Sequence, residues 1–463
     1  MFNKIVYIIL LFSSLYSQSY FNRVFGADIQ YGDARSMALA NTYATTGTSS
    51  SVISRNPARL SYLSNGNKGY SFDFQINSRI YFERRSIDIL DSFGDFLTET
   101  DYVSNQFSNF YGSYGFIASK KTNKGNFGIG ASKTTLASFD YRYEEEVRYK
   151  KSFDDGESGS RDPLLGFHVY RNKGYLELSS LGFGYSFDNE NKSSVAIGFS
   201  INKILESSIS DYIYIDTSFY SLNAIDYENL SNIKKHEQTY KTPGDSYSTF
   251  SIELPLMLYS KQSSIVFSAE TEASFNDTDT LYYNLSTLSS LPLFLEYNDL
   301  TDQYEFTLED IQYYKPKKLT FGLRLKKYRT LIVFEAVEEF YSDIVIKVKG
   351  SPLVSDSYLN NVSEYKIAFE HKFKMGSDIR MGLSYKQPII NSLLGPISKF
   401  TLGSNRQISK KLNADFAISY YITDYNYDDI FPTSDFIHDD CSHHCEKITE
   451  SNISISATFK WDF

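Results

Sequence analysis

The end of the chain constrains its fold more than any other stretch. From Asn452 to Phe463 the odd-numbered positions are Ile453, Ile455, Ala457, Phe459, Trp461 and Phe463, and all are apolar. The even-numbered positions are Asn452, Ser454, Ser456, Thr458, Lys460 and Asp462, and all are polar. Successive strand residues point to opposite faces, so this run predicts a strand with one oily and one wet face. Terminal residues of soluble domains tend to fray. A long amphipathic strand that stops on an aromatic fits a transmembrane β-barrel, although a sandwich can also finish on such a strand.

Composition is compatible with a barrel. Aromatics make up 16% of the 463 residues, with 39 Tyr and 36 Phe against 1 Trp. Both rings favour strands, and Tyr suits a membrane–water boundary. The charged fraction of 22% is no objection, because lumen-facing polar residues alternate with lipid-facing ones in a barrel. A net charge of −10 argues against nucleic-acid binding, which needs a basic face. The N-terminus reads as an export signal: Lys4, then the apolar run Ile5–Phe12, then the small residues Ser17 and Ser19. Residues 1–19 are therefore expected to be a signal peptide. No later run approaches the roughly 18 apolar residues of a membrane helix.

Fourteen alternating runs bounded by turn residues follow, at about 70–82, 109–120, 126–150, 175–187, 193–215, 246–259, 263–275, 317–327, 330–348, 364–373, 378–386, 398–405, 411–422 and the terminal run. Two are imperfect. Leu331–Phe334 is continuously apolar, and the fourth run slips phase at Ser179–Ser180, which predicts a bulge. The connections alternate between short and long. Short ones lie near 122–125, 188–192, 260–262, 328–329, 374–377 and 407–410; long ones cover about 83–108, 151–174, 216–245, 276–316, 349–363, 387–397 and 423–451. Short periplasmic turns and long outer loops produce that alternation, and an even strand count brings both barrel ends to the periplasmic rim. The expected fold is all-β, a 14-stranded antiparallel transmembrane barrel over residues 67–463, in a bacterial outer membrane.

Residues 20–66 do not alternate. They contain the small-residue stretch Gly32–Ala44 and then Ser54-Arg55-Asn56-Pro57-Ala58-Arg59-Leu60. This resembles the N-terminal hatch of FadL-type outer-membrane transporters, whose Asn-Pro-Ala-x-Leu element precedes the first strand. The resemblance implies a 14-stranded barrel with an N-terminal plug, and makes Asn56, Pro57, Ala58 and Leu60 the plug motif. Met37-Ala38-Leu39-Ala40 stands where the family often has Gly-Met-Gly-Gly. The implied function is passive uptake of hydrophobic small molecules such as long-chain fatty acids, with sideways release through the wall. Gly128 and Gly130 of the third run are the expected kink. PorV-like scaffolds of a secretion apparatus share the fold, so a protein partner docking on the outer loops is the alternative. Pro57 fixes its own φ and pushes Asn56 to an extended conformation, which Asn can stabilise by capping nearby backbone.

Chemistry-bearing residues are sparse. Of six His, only His371 falls in a predicted strand, sharing the parity of Tyr365, Ile367 and Phe369. No G-x-S-x-G or H-E-x-x-H motif occurs, so no enzyme, cofactor or catalytic metal is expected. Cys441 and Cys445 sit among His438, His443 and His444. That cluster suits zinc or a disulfide, and export favours the disulfide. Ile89, Leu90, Phe93, Phe96 and Leu97 have helical spacing, predicting an amphipathic helix over 86–97. Leu285–Leu295 is also oily. Apolar surface on an outer loop needs a partner, which makes Phe93, Phe96, Leu97, Leu291 and Phe294 the candidate ligand contacts. Glu270, Glu272, Arg324, Lys326, Glu335, Lys366 and Lys372 are expected to solvate the lumen or pair across it.

Overall fold

A computed structural model describes residues 26–29, 32–62, 68–90, 93, 95–148, 164–187, 195–214, 236–256, 263–274, 280–282, 293–298, 303–308, 313–341, 345–347, 359–374, 376–389, 395–427 and 446–463. Fourteen strands close into one antiparallel ring: β1 Lys68–Leu90, β2 Phe96–Thr122, β3 Gly125–Ser138, β4 Tyr175–Phe187, β5 Ala196–Ile204, β6 Asp245–Pro255, β7 Ser264–Glu270, β8 Lys317–Lys327, β9 Thr330–Phe340, β10 Val362–Lys372, β11 Asp378–Lys386, β12 Ile397–Gln407, β13 Leu412–Tyr427 and β14 Glu446–Asp462. Each strand pairs with the next, and the ring closes where β14 pairs with β1 from Ser71↔Asp462 to Ser86↔Lys447. Closure joins the last strand to the first, as strands that cross a bilayer require.

Burial runs opposite to that of a soluble protein. On β1, Tyr70, Phe72, Phe74 and Ile76 are exposed on the outer wall, while Ser71, Asp73, Gln75 and Asn77 are buried inside. The terminal strand repeats this: Ile455 faces out, and Ser456 and Thr458 face in. The bilayer covers the outward apolar side chains, so alternation places them without any core to fill.

Three expectations change. The helix over 86–97 is instead the tip of the β1–β2 hairpin, with ladder pairs as far as Leu90↔Phe96. Extending a ladder adds bonds to strands already paired, whereas a short helix needs its own costly nucleus. The third and fifth runs are each two strands. At Phe139–Asp140, Gly174, Leu205–Glu206 and Pro243–Gly244 the wall of β3–β6 breaks and continues as a four-stranded sheet, Tyr141–Arg148, Leu164–Lys173, Ser207–Tyr214 and His236–Thr242. Gly174 makes this corner at φ +151°, a conformation glycine adopts freely. No bulge marks Ser179–Ser180; β4 alternates in burial throughout, with Leu176, Leu178 and Ser180 all facing in. The register shift lies across the ladder, between Thr135 and Ala137 of β3.

Candidate functional site in the barrel interior

The N-terminal segment packs against the inner wall. It forms helix α1 (Ala34–Ala38), helix α2 (Tyr43–Thr46) and 3-10 turns at Ser50–Ser54 and Pro57–Ser61. Asp33 organises its start. Its carboxylate accepts from Ser36 N at 2.7 Å, capping α1, and from Thr48 N and Ser49 N at 2.6 and 3.0 Å. Burial pushes this carboxyl's pKa up, but the hydrogen bonds from Ser36 and Thr48 and the charge of Arg35 outweigh it and hold the pKa below its ordinary 3.8. Ala40 takes φ +56°, a left-handed conformation that costs a residue with a Cβ roughly 1–2 kcal/mol. Thr401 Oγ1 bridges that bend, accepting from Ala40 N and donating to the Ala38 carbonyl, both at 3.0 Å.

Charged pairs fasten the segment around the ring. Arg35 meets Glu370 of β10 at 2.8 Å, Arg55 meets Glu270 of β7 at 3.0 Å, and Arg59 meets Glu253 of β6 at 3.3 Å. Thr45 donates to Glu335 of β9 at 2.7 Å, and Ser50 donates to Asp73 of β1 at 2.7 Å. Lys460 of β14 donates to the Thr48 carbonyl at 3.0 Å. Behind these, Arg380 is 1% exposed and engages Glu370, Asp378 and Asp415 at 3.1, 2.7 and 2.5 Å. Buried charges are tolerable only when compensated in this way. Of the lumen charges expected to pair, Glu335 meets Lys366 at 3.3 Å and Glu270 meets Lys315 at 3.0 Å, whereas Lys372 is exposed at a turn.

All four plug-motif residues are fully buried. Asn56 does not cap its own turn; its side-chain amide donates to the Ala44 carbonyl at 2.6 Å and ties the two halves of the segment together. Pro57 opens the second 3-10 turn. Ala58 N donates to Ser251 of β6 at 3.0 Å. Leu60 packs with Val52, Ile53 and Ile117. Glycines on the wall let the segment come this close. A Cβ at Gly198 would strike Ala58 N and Pro57 C, and one at Gly128 would strike the Leu60 carbonyl. Gly128 and Gly130 therefore make room for the segment.

Farther along β3 and β4 the interior carries apolar and aromatic side chains beside the buried Arg85–Glu83 pair. Leu176, Leu178 and Phe139 are fully buried and Leu136 nearly so. Phe139 meets Tyr313 edge-on at 6.3 Å, Tyr141 meets Tyr170 at 5.8 Å, and Lys315 Nζ lies 4.1 Å from the Tyr247 ring centre. Here the wall has a seam. The β2–β3 ladder ends at Tyr114↔Lys133. Beyond it, Ala27 and Asp28 pair with Ser138 and Ala137 of β3, beside the register shift.

Of the candidate ligand contacts, Phe93, Phe96 and Leu97 do not join this interior. Phe93, Phe96 and Leu97 are 88%, 61% and 61% exposed at the β1–β2 tip. Phe294 lies in a short hairpin, Leu293–Asn298 with Gln303–Leu308. Leu291, Cys441, Cys445 and the signal segment 1–19 lie outside the described residues. His371 is in β10 next to the short β8–β9 turn, as expected, with Nδ1 3.0 Å from Thr330 Oγ1. Sequence reasoning missed Leu136, Phe139, Leu176 and Leu178. The phase slip at Ser179–Ser180 was their signal, since it marks where the inner face stops being polar.

A closed 14-stranded barrel with an apolar outer wall and a polar inner one is a bacterial outer-membrane protein. Its fold is that of the FadL-type channels. The Pseudomonas putida toluene transporter TodX matches over 94% of this chain and 99% of its own, at 13% identity and TM-score 0.55. A Pseudomonas aeruginosa FadL homologue matches over the same shares at 13% identity and TM-score 0.56. The monoaromatic hydrocarbon channel CymD matches over 94% and 99% at 10% identity and TM-score 0.52. No protein-family model and no curated protein sequence matches the chain.

Proposed function

We propose that this protein is a channel for passive uptake of hydrophobic small molecules, either monoaromatic hydrocarbons or long-chain fatty acids. One observation carries the reading: a group of buried apolar and aromatic side chains, Leu136, Phe139, Leu176 and Leu178, lies beside an interrupted wall ladder. Residues 20–66 act as the plug, and residues 1–19 are removed on export. Phe93, Phe96 and Leu97 offer a first apolar contact, and a Cys441–Cys445 disulfide stiffens the last outer loop. Ligand descends to these apolar side chains and leaves sideways where Ala27–Asp28 covers β3. No catalytic chemistry is involved.

The test is a reversible lock. Ala27 and Ser138 are ladder partners, so Ala27→Cys with Ser138→Cys, in a background with Cys441→Ser and Cys445→Ser, can be joined by oxidation. Uptake of radiolabelled toluene and oleate by cells lacking other hydrophobic channels should stop on oxidation and return with reductant. Unchanged uptake in the locked form would remove the sideways route. The charge pairs around the segment favour a second reading, a closed PorV-like scaffold, which predicts no uptake of either compound and stable capture of a protein partner.

A further inference from the structure

We propose that the outer wall carries a binding site for an anionic phospholipid of the periplasmic leaflet, at the β8–β9 turn. A cavity of about 430 Å³ opens there between Leu325, Lys327, Tyr328, Arg329, Thr330, Ile332 and His371. Strand parity places it on the membrane side: Ile332 is 43% exposed and shares its face with Phe334, while Leu331 and Val333 are buried inside. Leu325 and Ile332 lie on the apolar wall. Lys327 and Arg329 stand at the rim, both exposed. The lining thus runs from hydrocarbon to cation along the strand, in the order of a phospholipid's own acyl chain and phosphate.

Charge supports that occupant. The cavity lining has no carboxylate. The nearest acids on β10 and β11, Glu370 and Asp378, are buried inward and committed to Arg380. Among the described residues neither Lys327 nor Arg329 has an ion-pair partner, whereas the interior arginines of the N-terminal segment, Arg35, Arg55 and Arg59, each have one. Neighbouring turns at the same rim add exposed Lys121, Lys124, Lys374 and Lys410, although the whole chain carries −10. Basic pockets at this depth recognise lipid head groups.

The turn adds an independent sign. Tyr328 has φ +54° and is 89% exposed. Glycine or asparagine suits such a turn position, and an aromatic there bears a local backbone cost. An exposed ring at the rim lies at head-group level, where tyrosine is favoured. His371, held by Thr330 and edge-on to Phe373 at 5.3 Å, forms the opposite side.

Native mass spectrometry of the full-length, detergent-solubilised protein tests this, with phosphatidylglycerol, phosphatidylcholine and inorganic phosphate as probes. Phosphatidylglycerol should be retained preferentially. Lys327→Gln with Arg329→Gln should weaken it about thirtyfold, from two cations each at the strength found near anionic surfaces, with phosphatidylcholine little changed. Equal retention of the two lipids, or no effect of the double variant, overturns the site. Displacement by inorganic phosphate overturns the lipid assignment in favour of a free-anion site. Tyr328→Gly separates binding from folding. Weaker retention with an unchanged or higher melting temperature supports the site, and retention that follows only the melting temperature overturns it. Hydrocarbon uptake should be unaffected by all three substitutions, so this outcome is independent of the transport reading.

Discussion

The two levels of the interior are built differently. At the level of the N-terminal segment, ion pairs and hydrogen bonds fasten it around the ring between small apolar contacts such as Leu39 with Leu331, and a buried arginine cluster centres on Arg380. A few residues higher on β3 and β4, the inward positions are Leu136, Leu176 and Leu178, with Phe139 beside them. The lower level gains specificity from charge pairs that fit one arrangement of the segment. The upper level adds apolar side chains, and its ions are already paired, Arg85 with Glu83 and Lys315 with Glu270. On the proposed function, the lower level would seal and the upper one would meet ligand.

Removing the segment should have the largest effect. Without residues 26–62, a 14-stranded wall loses its filling at the lower level, and the planar-bilayer current should change from closed to that of an open pore. A current equal to the parent's would mean that the segment does not seal. Next is Arg380→Leu. It strands Asp378 and Asp415 and leaves Glu370 with Arg35 alone, and should cost about 3–5 kcal/mol in thermal unfolding, followed by the heat-shifted gel mobility of the barrel. A cost below about 1 kcal/mol would show that water reaches these carboxylates.

Smaller effects sharpen the comparison. Gly198→Val places a Cβ against Ala58 N and Pro57 C. It should cost about 1–3 kcal/mol and raise hydrogen exchange in residues 56–61 more than in the strands. Uniform exchange would mean the segment is not held against β5. Asp33→Asn should cost about 1 kcal/mol, as loss of a helix cap does. Because the folded pKa of Asp33 is depressed, its contribution is complete above its ordinary value of 3.8 and is lost as pH falls through the lower folded value. Proteolysis of the segment should therefore rise on acidification below about pH 4 in the parent protein, and less so in Asp33→Asn. Equal acid sensitivity would assign the effect to other carboxylates.

Where the sequence alternated cleanly, the strand and its lipid face were legible, as in β11, β13 and β14. The bilayer accepts any apolar residue on the outer face, so period two alone is sufficient there. The irregular places were legible only as irregularities. Leu331–Phe334 is continuously apolar because Leu331 and Val333 face inward onto Leu39 and Ala40 of the segment. Leu176 and Leu178 break the pattern because the upper interior is apolar. Gly128 suggested a kink, but its role depends on Leu60, a partner far away in sequence. The Asn-Pro element was recognisable by resemblance, whereas the tie from Asn56 to Ala44 required the folded segment. The apolar spacing of 86–97 fits a helix equally well, and only the ladder with β2 selects the strand.

The most direct test of the two-level account is anomalous scattering from crystals of the full-length protein soaked with bromotoluene. Bromine should appear in the interior among Leu136, Phe139, Leu176 and Leu178, with none between the N-terminal segment and the wall. Bromine confined to the outer, lipid-facing wall, or lodged among the charge pairs around Arg380, would contradict the account.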